Sequence, residues 1–184
     1  MPKAPLKVGV VGMGGIGNTH AKCYSENKLS QLICVCDLKK DRADKAAEKY
    51  GVPAFYSLSE MLNAYPELDI VDVCTSGFEN GSWHYEPVME ALDAGKHVLT
   101  EKPISNDIFE ARDMVNFAAK KNLYLGCNLN HFFSEPADRA REYIANDKIG
   151  EQIYCINKVG FNGSSVNPLA IDKNSRWQMP YSHA

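Results

Sequence analysis

The chain has 184 residues, 45% of them hydrophobic and 23% charged, with 20 Lys and Arg against 23 Asp and Glu for a net charge of −3. Such a composition fits one ordinary globular domain, or one domain and part of a second. The slightly acidic balance speaks against a nucleic-acid partner, no stretch is apolar enough for a membrane-spanning helix, and residues 1–5 lack the apolar core of a secretory signal.

In chain order, residues 7–12 form a short apolar run ending at glycine, as a parallel strand buried on both faces should. Ile16, His20, Cys23, Tyr24 and Asn27 then recur at the spacing of one helical face. A second apolar run, residues 32–37, reads as a strand. Residues 39–50 are rich in Ala, Lys and Glu and stop at Gly51, the pattern of a helix with a glycine cap. Ala54 and Phe55 suit a third strand, and Ser57 with Glu60 three residues on suits the capped start of a helix through Ala64.

Residues 69–74 read as a fourth strand, followed by a helix carrying Val88, Ala91 and Leu92 and closed by Gly95. His97, Val98 and Leu99 make a fifth strand. Ile108, Ala111, Met114, Val115 and Ala118 form the stripe of the next helix. Residues 123–125 read as a sixth strand, and Ser134 as the cap of a helix bearing Ala137, Ala140 and Ile144, with Pro136 in its first turn. Strand alternating with helix predicts a doubly wound parallel sheet of Rossmann type. From Gly150 the alternation stops. Residues 152–159 read as a further strand with no helix after it. The expected organisation is a dinucleotide-binding domain over residues 1–127, a linking helix over 128–150, and the start of an incomplete α+β substrate domain over 151–184.

Six cysteines are present, with no C-x-x-C pair and no His at zinc-ligand spacing. Most lie in apolar runs, where a free thiol packs as a small hydrophobe. No metal is expected, and reduced thiols fit a cytoplasmic setting.

The chemistry-bearing motif is Gly12-Met13-Gly14-Gly15-Ile16-Gly17, a G-x-G-x-x-G between the first strand and first helix. The first glycine allows the tight turn, the second lets backbone approach a pyrophosphate, and the third lets helix and strand pack closely. The helix start then offers free N–H groups to phosphate. Asp37 closes the second strand 20 residues after Gly17, where a carboxylate can accept from the adenosine ribose hydroxyls. A carboxylate repels a 2′-phosphate, so NAD is favoured over NADP. Lys39 and Lys40 just beyond leave NADP open.

Further along, Ala94-Gly95-Lys96-His97-Val98-Leu99-Thr100-Glu101-Lys102-Pro103 closely resembles the signature of the glucose-fructose oxidoreductase and inositol dehydrogenase family. The resemblance also takes in the glycine loop, Asp37, His84, Asn128-Leu129-Asn130-His131 and Lys148-Ile149-Gly150-Glu151. It implies that Lys102 is the catalytic group, sharing the proton of a substrate hydroxyl as hydride leaves carbon. It implies that Glu101 meets the nicotinamide ribose, and that the Lys102–Pro103 bond is cis. Thr75 and Ser76, ending the fourth strand, should line the cofactor groove. His84 is either a cofactor contact or a packing and capping residue. Asn128, Asn130 and His131 could face substrate, although Phe132 stands where many members of the family carry arginine.

The family's substrate domain usually adds an Asp and a His four residues apart. No such pair follows Gly150, which fits a fragment or a chain that ends early. The expected function is hydride transfer between a nicotinamide and a secondary alcohol or ketone of a sugar, polyol or related small molecule, in a homo-oligomer. The alternative is a dinucleotide-binding module without turnover. An edge left open along residues 152–159 is expected to recruit another chain or to remain poorly ordered.

Overall fold

The computed structural model describes residues 4–75 and 83–154. Among the described residues six parallel strands are present: β1 (Leu6–Val11), β2 (Ser30–Cys36), β3 (Ala54–Phe55), β4 (Ile70–Val73), β5 (His97–Thr100) and β6 (Leu125–Cys127). Their order across the sheet is β3-β2-β1-β4-β5-β6. The chain therefore winds outward from β1 to β3 and then returns to lay β4 on the other side of β1. Ligands of open α/β sheets bind at this reversal, at the carboxyl ends of the strands.

The helices are α1 (Gly15–Glu26), α2 (Lys40–Tyr50), α3 (Leu58–Ala64), α4 (Tyr85–Asp93), α5 (Ile108–Lys120) and α6 (Glu135–Ala145). Both faces of the sheet are covered. Val8, Val10, Leu32 and Val35 pack with Ala21 of α1 and Ala46 of α2. Val11, Val71, Val73 and Val98 pack with Met61 of α3, Leu92 of α4 and Met114 of α5. This is why the strands read as continuous apolar runs rather than alternating ones.

Helix ends follow local chemistry. Gly51 stops α2 in the left-handed region at φ 66°, its N–H bonded to the Ala47 carbonyl. Ser57 Oγ accepts from the Glu60 N–H at the start of α3. Asp107 caps α5 by accepting from the amides of Phe109 and Glu110.

Three expectations need correction. The expected face of α1 is rotated: Gly17 and Ala21 are its buried residues, whereas Ile16 is 53% exposed and Cys23 lies in solvent. The cause is Gly17, whose contact with the carbonyl of Gly12 turns the helix's small residues toward the sheet. In α5 the buried residues are Met114 and Ala118, with Phe117 packed beside them, while Ile108 and Val115 are exposed. The sixth strand begins two residues later than expected. Asn122 takes φ 56° and the Leu123 amide still bonds the Ala118 carbonyl, so the helix exit uses the residues assigned to the strand start.

The chain divides into two compact units after Asn128. In the second, a 3-10 turn (Asn130–Phe133) precedes α6, and the Arg141 guanidinium lies over the Phe132 ring at 4.2 Å. None of the residues of α6 is buried. Of the strand expected over 152–159, the described part up to Tyr154 is not in a strand, and the rest lies outside the described residues. Among the described residues no helix is long and apolar enough to cross a membrane.

Candidate functional site

Two corners meet where β1 and β4 part. The first is the glycine loop. Gly12 has φ 92°, and a Cβ there would come within 2.7 Å of the Cys74 backbone at the end of β4. A Cβ on Gly17 would lie 1.9 Å from the Gly12 carbonyl oxygen, so helix and turn touch only because both residues lack side chains. Gly14 and Gly15 are different: a Cβ on either would meet nothing within 4 Å. Their backbone faces open space at the start of α1, whose first turn holds no acidic residue. The uncompensated N-terminal dipole and free amides suit an anion.

Side chains brace this loop from outside. Asn18 donates to the carbonyls of Met13 and Gly14, and the Tyr50 hydroxyl donates to the Asn18 carbonyl. Asp37 ties the loop to the end of β2: its Oδ2 accepts from the Met13 N–H at 2.7 Å and its Oδ1 from the Lys39 N–H at 2.8 Å. Met13 is buried, while Ile16 points outward from the loop.

The second corner is built at the ends of β4, β5 and β6. Cys74, Glu101 and Asn128 each follow a strand, their amides continuing the parallel ladder to Val11, Val73 and Thr100. Around them lies a buried polar network. His20 of α1 sets Nδ1 2.8 Å from Asp72 Oδ2 and Nε2 3.1 Å from Glu101 Oε1. Asn128 Nδ2 donates to the same Glu101 oxygen at 2.6 Å, and the Lys102 N–H reaches Glu101 Oε2 at 3.2 Å. Cys74 Sγ stands 3.3 Å from His20 Nδ1 and 3.6 Å from Asp72 Oδ1.

Charge follows from these contacts. Hydrogen bonds to Asp72, Cys74 and Glu101 push the His20 imidazole up to about 12, against the desolvation that burial imposes. The Glu101 carboxyl is held below its ordinary value: burial pushes it up, but His20, Asn128 and the Lys102 amide together outweigh that. Burial pushes the Cys74 thiol up to about 12, so it serves here as a neutral donor. His20, Asp72 and Cys74 could present one ligand atom each to a cation. A metal would need the Nδ1 lone pair and a thiolate, whereas Nδ1 is engaged by Asp72 and burial keeps the thiol neutral, so the geometry is that of a hydrogen-bonded ion pair.

Lys102 is half-buried beside Glu101, and its peptide bond to Pro103 is cis. His84 is buried, one ring nitrogen 2.8 Å from the Pro103 carbonyl and the other 2.8 Å from the Thr75 carbonyl. These two contacts brace the Lys102–Pro103 turn against the end of β4. Thr75 Oγ1 donates to the Trp83 carbonyl. Ser76 lies outside the described residues. Asn128 sits inside the network, whereas Asn130 and His131 belong to the second unit.

His20, Asp72 and Cys74 were not among the expected site residues. One signal was available. Asp72 interrupts an apolar strand that the sheet covers on both sides, and a buried carboxylate requires a cation or several donors. The distance from residue 20 to residue 72 hid the partner.

The sequence matches the model of an oxidoreductase family with an NAD-binding Rossmann fold over residues 6–129. It is 32% identical over 152 residues to the D-glucoside 3-dehydrogenase of Escherichia coli, covering 82% of this chain and 42% of that protein. It is 30% identical over 146 residues to the myo-inositol 2-dehydrogenase of Thermotoga maritima, covering 79% and 42% respectively. The structure resembles that of scyllo-inositol dehydrogenase from Lactobacillus casei with bound NAD(H) and scyllo-inositol, with a TM-score of 0.72 at 26% identity, over 80% of this chain and 43% of that one. The chain thus spans about two fifths of the length of these relatives. With the glycine loop, the reversal between β1 and β4 and the carboxyl-edge residues in place, the chain belongs to this oxidoreductase family, and its fold is the family's NAD-binding Rossmann domain.

Proposed function

We propose that the protein carrying this chain is a dehydrogenase that moves hydride between NAD and a secondary alcohol or ketone of a sugar or polyol. The observation that carries it is the pairing of the two corners across one strand reversal. Gly14 and Gly15 leave room for pyrophosphate beside a helix start, and Asp37 stands at the end of β2 for the ribose hydroxyls. The bound nicotinamide would supply the hydride chemistry. The residues of this chain supply the rest. Glu101, fixed as a carboxylate, offers acceptor oxygens toward the nicotinamide ribose. Lys102, one residue on, takes up or returns the proton of the substrate hydroxyl. His84 holds the turn that presents Lys102, and Thr75, Ser76, Asn128, Asn130 and His131 remain the candidates for lining the groove. The relatives' names support a sugar or polyol substrate, and Asp37 supports NAD ahead of NADP. A cytoplasmic homo-oligomer belongs to the same proposal, supported for the first by the buried free thiols Cys34, Cys36 and Cys74.

Titration of the 184-residue chain with NADH and NADPH, followed by cofactor fluorescence, tests the binding half. NADH is expected to bind more tightly, and Asp37→Ala to weaken NADH and narrow the preference. Equal affinities left unchanged by the substitution would sink it. For the chemistry, Lys102→Met in the enzyme is expected to lower kcat while leaving NADH affinity within about threefold, well under 1 kcal/mol. The alternative, a dinucleotide-binding module without turnover, uses Gly12 to Gly17 and Asp37 but has no work for Lys102. An undiminished kcat in the Lys102 variant would remove that residue from the mechanism.

A further inference from the structure

We propose that His20 is a positioning residue: held as a cation between Asp72 and Glu101, it fixes the Glu101 carboxylate at the carboxyl edge of the sheet and so sets where the nicotinamide end of the cofactor is received. The clamp stands on geometry within the first unit. Its place toward the cofactor rests on the dinucleotide reading above.

Two carboxylates enter one buried cluster, Asp72 fully buried and Glu101 nearly so. They reach opposite edges of the same imidazole, Asp72 at Nδ1 and Glu101 at Nε2. A neutral imidazole has one N–H and serves one of them. Only the doubly protonated ring donates to both, and its charge lets two carboxylates share a poorly solvated site.

Four further groups border the ring and the Glu101 carboxylate. From the end of β4, Cys74 stands at Nδ1 as a thiol that burial keeps protonated. From the end of β6, the Asn128 amide nitrogen lies 3.1 Å from Nε2 and 2.6 Å from Glu101 Oε1, so the carboxylate oxygen is its nearer acceptor and both it and the ring point donors at that oxygen. Cys127 Sγ sits by the Glu101 carbonyl. From α1, Tyr24 is raised by burial and by Asp72, so it adds no anion. Glu101 is left with Oε2 toward the Lys102 amide. The carboxylate is thus gripped from α1, β5 and β6 at once.

His20 also lies on the helix whose first turn carries the glycine loop. One rigid element therefore presents the phosphate-facing amides at its start and the Glu101 clamp a turn later. The distance between the two ends of the cofactor site is fixed by α1 rather than by the loops after β4 and β5. Asp72, which touches neither end, acts through His20.

Two measurements on the full 184-residue chain decide this. In the cofactor-free protein with 15N-labelled histidine, one imidazole is expected to remain doubly protonated from pH 7 to pH 10. It should vanish in His20→Gln and titrate at much lower pH in Asp72→Asn. A His20 ring that is neutral at pH 8 overturns the proposal without any variant having to fold. In NADH titrations, His20→Gln and Glu101→Gln are each expected to weaken binding about tenfold, the scale of one lost charge-assisted hydrogen bond. The double variant should be no weaker than either single one, because both remove the same held carboxylate. Losses that multiply, or an unchanged affinity in His20→Gln, overturn the positioning role, since damage to the fold alone would not produce that coupling. If the unmutated chain does not retain NADH, the cofactor reading fails and the positioning role with it, and the imidazole spectrum still decides whether the clamp exists.

Discussion

The two corners of the site are built in opposite ways. At the β1–α1 corner, side chains are left out: Gly12 and Gly17 touch, while Gly14 and Gly15 stay open and leave the backbone accessible. At the β4–β5–β6 corner, side chains are crowded in: His20, Asp72, Glu101 and Asn128 come from four elements and satisfy one another. The first corner is local in the chain and tolerates no added atom at Gly12 or Gly17. The second is long-range and tolerates no lost charge. A fold can therefore hold a flexible, multiply charged ligand by shape at one end and by fixed electrostatics at the other.

The largest expected effect comes from adding one methyl group to the first corner. Gly17→Ala drives a Cβ to 1.9 Å from the Gly12 carbonyl oxygen, with Cys74 Cβ at 3.4 Å beside it, and the atom in the way is backbone rather than the end of a flexible side chain. A loss of about 4 kcal/mol or more in urea unfolding is expected, with NADH binding abolished. Gly15→Ala is the control: its Cβ meets open space, and stability should stay within about 1 kcal/mol of the parent.

Next comes charge. Asp72→Asn keeps the shape of the side chain but leaves His20 facing an amide, and unfolding should be easier by about 3 kcal/mol near neutral pH. The pH dependence sharpens the contrast. His20 rises from 6.5 to about 12 on folding, so its contribution is complete below pH 6.5 and is lost as pH climbs toward 12. Between pH 7 and pH 10 the parent chain should lose stability steadily relative to His20→Gln as pH rises. Parallel stability curves for the two chains would show that the ring carries no buried charge. Glu101 acts in the opposite sense: lowered on folding, its contribution is present above the ordinary carboxylate range and lost as pH falls through its folded value.

The smallest effect is expected at Thr100. Its Oγ1 is buried without a hydrogen-bond partner among the described residues. Thr100→Val replaces the hydroxyl with a methyl of similar size and should raise stability by up to about 1 kcal/mol in a thermal melt.

Legibility in the sequence follows the same division. The glycine loop and Asp37 could be read directly, because turn, close approach and ribose carboxylate each demand one residue type at a fixed spacing. The strands were legible as apolar runs because both faces of the sheet are covered. The helix faces were less so. Ile16, Ile108 and Val115 look like core residues by period, yet the glycine contact in α1 and the packing of Phe117 in α5 turn those helices, and propensity has no access to that rotation. Lys102 and Glu101 came into view through family resemblance. His20 did not, because its partners lie more than fifty residues away and nothing local marks an imidazole as charged.

Asp37 has a consequence for coenzyme preference. Its two oxygens already accept the Met13 and Lys39 amides, so the residue expected to choose between NAD and NADP is also a structural anchor of the glycine loop. A neutral or cationic replacement would lift the repulsion of a 2′-phosphate and, in the same stroke, untether Met13 from β2. Preference and loop order are thus under the control of one carboxylate. A switch to NADP would need a second substitution to give the Met13 amide a new acceptor, and single-step variants should lose affinity for both coenzymes before they gain for either.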